Sequence, residues 1–231
     1  MVIWSKPPVR RGGAPELPQV VDTAIAIADA EGLSAVSMRR VATALRSGTA
    51  SLYRILESRE EILDRMVDAA LGETALPTLT GDWRTDLAEI ARTRRRMLRR
   101  HPWLGLELAG RPAIGPHALR HHEHALAAAD GLADDPTSAG SAVETLLAYV
   151  LGAVVRETAE VRIRQRSGRS ESEWRAEVGP YLRQALDDYP LLRRFVQNAA
   201  DFDADERFER GLACILDGID AQFPSRRQSG S

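Results

Sequence analysis

Between Thr49 and Arg54 the chain sets out side chains suited to reading a nucleic-acid surface: Thr49, Ala50, Ser51, Tyr53 and Arg54. In a helix these share the side away from Leu52 and Leu56, which stand four apart and point inward. Small residues let a helix approach a groove closely. Hydroxyl groups bond phosphate oxygens, and an arginine pairs with the edge of a guanine. Arg39 and Arg59, near the starts of the preceding and following helical stretches, bracket this face. From 37 to 59 there are five arginines against Glu57 alone, although the whole chain carries a formal charge of −2. A basic island thus sits on an otherwise acidic protein, which fits local contact with double-stranded DNA and argues against a uniformly basic binder. A solvated amphipathic hairpin would show the same residues one at a time; their combination favours DNA.

Three other groups could do chemistry. Arg94 falls on an apolar helical face between Ile90 and Met97/Leu98, where a buried guanidinium needs a carboxylate or an anionic ligand. Glu157 is one possible partner, and snorkelling to the surface is the other resolution. The run His121-His122-Glu123-His124 puts His121 and His124 on one face, but two ligands on one helix make a poor metal site, and surface histidines are the simpler account. Cys214 stands alone, which excludes an internal disulfide or a cysteine-based zinc finger; its apolar helical setting suggests a buried, inert thiol. There is no Gly-rich phosphate loop, no Gly-x-Ser-x-Gly elbow and no His-Glu-x-x-His, so no catalytic residue, cofactor or metal is assigned and an enzyme is disfavoured.

These residues need elements to hold them. With 231 residues, 44% hydrophobic and 5% aromatic, the chain can bury a core in one or two domains. No segment alternates with period two, so an all-α fold is expected. Residues 1–16, rich in Pro, Gly and Arg, read as a flexible arm. A first helix spans 17–31, with Gly32 stopping it. Ser37 caps a helix over 38–45, a break at 46–48 precedes a short helix over 49–55, and Ser58 caps a fourth. Three short helices with breaks of this length make a helix-turn-helix. Longer helices follow over 82–100, 103–109, 116–130 and 138–166, then a polar loop at 166–172, shorter segments to 199 and a last helix over 203–222. The expected division is a DNA-binding domain over 17–73, a helical ligand-binding and dimerisation domain over 74–223, and a disordered tail over 224–231. Phe208, Leu212, Ile215, Leu216 and Ile219 form a ridge expected to pair with a second copy. No signal peptide and no apolar run of membrane-spanning length is recognised, so a soluble cytoplasmic protein is expected.

Gly32-Leu33, Ser37-Met38-Arg39-Arg40-Val41-Ala42, Leu45, Gly48-Thr49-Ala50-Ser51-Leu52-Tyr53-Arg54 and Ser58-Arg59-Glu60-Glu61-Ile62-Leu63 together resemble the N-terminal domain of TetR-family (tetracycline-repressor-like) regulators, without gaps over about 45 residues. Further on, Trp83-x3-Leu87, the arginine run ending His101-Pro102-Trp103, Gly110-Arg111-Pro112, Val150-Leu151-Gly152 and Phe208-x2-Gly211-Leu212 resemble the ligand-binding domain of the subgroup nearest the tetracycline repressor.

The resemblance implies DNA contacts at Arg39, Thr49, Ala50, Ser51, Tyr53, Arg54 and Arg59. It implies a homodimer held by an intermolecular bundle of the helices over 138–166 and 203–222, and a repressor released from a palindromic operator by a small molecule. An effector pocket is expected between the helices over 82–100, 103–109, 116–130 and 138–166, lined by Arg94, Met97, Trp103, Leu147 and Tyr149, with Glu157 beside it. The chain departs from the family pattern in the turn and just after the recognition helix. Arg46 stands at the usual turn glycine, where a left-handed backbone would cost on the order of 1 kcal/mol. Ser47 replaces the usual valine, and Ile55-Leu56 the usual His-Phe or His-Val. Leu108 or Ala109 holds the place of the metal-coordinating histidine, which argues against a magnesium–tetracycline effector. A helical adaptor with a degenerate reading head is the alternative.

Overall fold

Apolar residues recur at helical spacing along most of the chain, and helices are what form. The computed structural model describes residues 3–5, 15–110, 112–133, 135–168, 171–200 and 202–223. The expected arm falls mostly, and the tail wholly, outside these residues, as does Arg111. Among the described residues there is no strand. The helices are α1 Leu17–Glu31, α2 Met38–Ala44, α3 Thr49–Leu52, α4 Arg59–Gly72, α5 Trp83–Arg100, α6 Leu104–Gly110, α7 Pro116–Ala128, α8 Pro136–Ser167, α9 Glu171–Ala185, α10 Pro190–Asn198 and α11 Ala204–Gln222.

Their ends follow local chemistry. Ser37, Ser58 and Asp82 cap α2, α4 and α5 by accepting from the backbone N–H three residues on, which satisfies donors that a helix start leaves orphaned. Asp203 and Glu206 form a reciprocal capping box on α11. Gly32 ends α1 at φ +87°, as expected of a C′ glycine. Several helix ends differ from expectation by one to three residues, α3 most. The recognition helix α3 stops at Leu52, because the N–H groups of Ile55 and Leu56 both bond back to the Leu52 carbonyl and tighten the chain into a turn. Helix α8 runs 32 residues to Ser167, which shortens the expected polar loop.

One continuous apolar core runs from α1 through α4 to α5, α8 and α11. On α11, Phe208, Leu212, Leu216 and Ile219 are buried within the chain itself and Ile215 is half-buried. The ridge expected to meet a second copy is therefore spent on the subunit's own core, against α5 and α8. Tyr149 belongs to this joint: its hydroxyl donates to the Phe208 carbonyl at 2.7 Å and the two rings lie 5.6 Å apart. Gly211 makes the contact possible, since a Cβ there would run into the tyrosine hydroxyl. Cys214, expected buried, is exposed because it lies on the side of α11 away from that ridge.

Helix α8 also corrects the expectation about apolar runs. Residues Pro136–Ala159 are long and apolar enough to cross a membrane by length and composition, at mean hydropathy 1.5, which is weak evidence of a span. Only 33% of that window is buried inside the chain. Val143, Leu146, Val150 and Val154 are buried and Leu147, Leu151 and Val155 half-buried, so the side of the helix left exposed in a single subunit carries small and polar residues.

Arg95, on the buried side of α5, ties three helices together. Its guanidinium bonds Glu157 of α8, Asp205 of α11 at 2.7 Å and the Ala204 carbonyl at 3.0 Å, and it lies 4.4 Å from the centre of the Phe208 ring. This corrects the pairing of Glu157 with Arg94. Adjacent helical positions point about 100° apart, and it is Arg95 that turns toward α8 and α11.

Just past the C-terminus of α5, His101 is buried between two acids. Its Nδ1 lies 2.9 Å from Asp29 of α1 and its Nε2 lies 3.3 Å from Glu73, just after α4. Trp103 donates its indole N–H to the same Asp29 at 2.7 Å. The joint holds α1 and the end of α4 against the start of α6.

Candidate nucleic-acid interface and ligand cavity

The reading head is built around a turn that needs one residue in an unfavourable conformation. After α2, the Arg46 N–H bonds the Thr43 carbonyl and the Ser47 N–H bonds the Ala42 carbonyl. This crossed pair is a Schellman motif, with Arg46 at its C′ position and φ +50°. The arginine adopts the backbone that a glycine would take, so its presence has not opened the turn. Arg46→Gly is accordingly expected to raise folding stability by up to about 1 kcal/mol, the left-handed penalty less the entropy that a glycine loses. Thermal unfolding of the two proteins checks this.

Held by that turn, α3 buries Leu52 and the following Leu56, both 1% exposed or less. Ala50, Tyr53 and Arg54 are exposed, with Tyr53 at 57%, while Thr49 and Ser51 are half-buried. Arg54 donates to the Ser51 hydroxyl at 2.9 Å, which poises its guanidinium along the face. Arg39 is exposed at the second position of α2. Arg59 has another engagement: it donates to the carbonyls of Val36 at 3.0 Å and Leu33 at 3.2 Å. It straps the start of α4 to the loop before α2, a structural use that the sequence pattern did not reveal.

A cavity of about 670 Å³ opens among α4, α5, α6, α7 and α8, within the usual range for small-molecule sites. Its walls are mainly apolar, from Leu71, Leu98, Leu108, Leu119, Leu147 and Leu151, with Arg94, His122 and Glu144 as polar points. Of the residues expected to line it, the structure brings Arg94 and Leu147 together there. Met97 is buried in the core instead, one position short of the face that Leu98 presents. Trp103 is held by Asp29, Tyr149 faces α11 and Glu157 pairs with Arg95, so these too lie elsewhere. Leu71 was missed. It belongs to α4, whose amphipathic pattern says nothing about a wall shared with α8.

That wall matters because α4 runs from the reading head to the cavity. Asp68 of α4 is buried and accepts from the N–H groups of His117 at 2.9 Å and Ala118 at 3.0 Å, so it caps α7 from a neighbouring helix. Gly115 precedes that cap, and a Cβ there would collide with the Asp68 carboxylate. One turn further, the His121 Nε2–H donates to the Leu71 carbonyl at 2.9 Å. Burial, with Arg94 nearby, pushes the His121 pKa down to about 4, so the ring is neutral at physiological pH. His122 lines the cavity, and among the described residues the buried His124 Nε2 finds no partner. Among the described residues no three His, Cys, Asp or Glu side chains cluster for a metal.

Residues 76–223 match the family described as tetracyclin repressor-like, C-terminal domain. The HTH-type transcriptional repressor DrrR1 of Streptomyces coeruleorubidus is 37% identical over 94% of this chain and 82% of its own length. The solved structure of apo ActR from Streptomyces coelicolor superposes with a TM-score of 0.76 at 28% identity, covering 95% of this chain and 99% of that one. The same protein solved in complex with actinorhodin gives a TM-score of 0.75 at 30% identity, over 90% of this chain and 99% of that one.

Proposed function

This chain belongs to the TetR family of helix-turn-helix transcriptional regulators, and on that premise we propose that it is a homodimeric repressor released from a palindromic operator when a small molecule enters the α4–α8 cavity. Residues 17–73 form the reading head in this account and residues 74–223 the sensing and dimerising body. Tyr53, Arg54, Ser51 and Thr49 carry the operator contacts, with Ala50 allowing close approach and Arg39 reaching a phosphate. Arg59 serves the head mainly as a strap.

The observation that carries the reading is the double life of α4. One end is strapped to the helix-turn-helix by Arg59, and the other supplies Leu71 to the cavity wall and Asp68 to the cap of α7. A ligand that presses on Leu71 from the side of Leu147 acts on α4 against α7, and α4 carries the head. A ligand that favours the moved arrangement a hundredfold shifts the equilibrium by about 2.7 kcal/mol. ActR in complex with actinorhodin supports ligand entry in a related protein.

The dimer face is assigned to surface left uncovered in one subunit. On α8, Ser141, Thr145, Gly152 and Ala159 line an exposed stripe at helical spacing. On α11, Ala213, Cys214 and Ala221 are exposed on the side away from the core. Small side chains at both places permit close helix packing between two copies.

Gel shift on the DNA upstream of the chain's own gene tests the function. Arg54→Ala is expected to weaken binding roughly 10- to 100-fold, as for loss of one guanine-reading arginine, and Tyr53→Ala to weaken it less. A wild-type protein that shifts no sequence would instead make this a helical adaptor.

A further inference from the structure

Helix α5 carries seven arginines, and the way they are paired singles one out. Arg84 pairs with Asp217, Arg92 with Glu209, Arg95 with Glu157, Arg96 with Glu89, Arg99 with Asp205 and Arg100 with Glu73. Arg94 is the exception: among the described residues no carboxylate and no carbonyl bonds its guanidinium. It is also the one that lines the cavity. Elsewhere on this helix the fold answers each cation with an acid. At Arg94, half-buried in the cavity wall, it leaves the charge unanswered.

An unpaired guanidinium in an apolar cavity works against folding. Burial lowers the Arg94 pKa to about 10, yet the group still carries its charge at neutral pH. No neighbour relieves it. His121 is neutral with its N–H committed to Leu71, and Glu144 stands on the α8 part of the lining without an ion pair to Arg94. Features that disfavour stability locally and face a cavity are characteristic of binding groups.

We propose that the cavity takes an organic anion: an apolar body lying against Leu98, Leu119, Leu147 and Leu151, with one carboxylate, sulfonate or ionised phenol held by the fork of Arg94. The planar guanidinium can give two parallel N–H bonds to such a group. Glu144 repels a second negative charge, so the remote end of the ligand is neutral or donates a hydrogen bond. This assignment rests on the cavity being the effector site and adds the charge of what enters it.

A matched pair of fluorescent probes separates the two claims. 8-Anilinonaphthalene-1-sulfonate and N-phenyl-1-naphthylamine share an apolar skeleton, and only the first carries an anion. Both are titrated into the full chain, into Leu147→Trp, which fills the cavity, and into Arg94→Met and Arg94→Lys. The expected result is that Leu147→Trp loses tight binding of both probes. Arg94→Met weakens the sulfonate roughly 10- to 100-fold, the range for one charge-assisted hydrogen-bonded contact, and leaves the neutral probe unchanged or tighter. Arg94→Lys keeps part of the preference for the anion. Arg94→Met without ligand should also melt at a higher temperature than the wild type, whereas a residue serving the fold would melt lower. If Leu147→Trp loses both probes but Arg94→Met treats them alike, or melts lower, the anion assignment is wrong and the cavity reading stands. If Leu147→Trp alters neither, the cavity itself is not the binding site and both readings fall.

Discussion

Arg95→Ala is expected to lose about 3–5 kcal/mol of folding stability, the range for removing one partner of a buried ion pair. Truncation leaves Glu157, whose side chain is only 13% exposed, with the more distant Arg99 at 3.8 Å as its cation, and removes the hydrogen bonds to Asp205 and the Ala204 carbonyl. It also removes the cation from the Phe208 ring. Denaturant unfolding measures the loss. Arg95→Met is expected to lose less if Glu157 is changed to Gln or Leu alongside it, because a stranded charge is worse than no pair at all. Acid should attack the same joint. The hydrogen bond from Arg95 holds the Asp205 carboxyl below its ordinary value, and the one from Arg92 does the same for Glu209. Groups with depressed folded values contribute stability above their unfolded pKa values, near 4, and lose it as pH falls through the folded ones. The wild type should therefore weaken below about pH 4 at this joint, and in Arg95→Ala the share contributed by Asp205 should be missing.

Gly152→Glu is expected to turn the dimer into a monomer without unfolding the subunit. Gly152 sits in mid-α8 with nothing within 4 Å of where a Cβ would be, so one chain has room for the side chain. A second copy packed on the stripe would not. Two like charges meeting across a twofold axis in a dry interface would also leave a buried, unpaired pair of carboxylates. Light scattering at micromolar concentration should read half the wild-type mass, with circular dichroism unchanged. Operator affinity should fall by several orders of magnitude, because each reading head would then bind a half-site alone. A variant that stays dimeric would place the interface elsewhere.

The sequence made the head legible because its signals are local. Ser37, Ser58 and Asp82 cap helices by bonding three residues on, and Gly32 stops α1 with its own backbone. The left-handed Arg46 was readable from the resemblance, since a glycine usually holds that place. The cavity was half legible: helical periodicity put Arg94 on an apolar face, but could not say whether Arg94 or its neighbour Arg95 would meet Glu157. Trp103 and Tyr149 were misplaced for a related reason. Each is drawn off by a polar partner distant in sequence, Asp29 for one and the Phe208 carbonyl for the other. The α11 ridge misled because an apolar stripe announces burial without saying against what. The surface now assigned to the dimer is made of Ser, Thr, Gly, Ala and one Cys, all small, and gives almost no hydrophobic signal. Asp68 capping α7 from α4 is invisible to any local pattern, since the two lie some fifty positions apart.

The central claim, a dimeric head that reads a palindrome, is tested most directly by footprinting the DNA upstream of the chain's own gene with wild type and Gly152→Glu. The account predicts two protected half-sites related by twofold symmetry, with centres about 34–36 Å apart or a multiple of that, and no protection by the variant at the same concentration. A single protected half-site, or equal protection by both proteins, would contradict it.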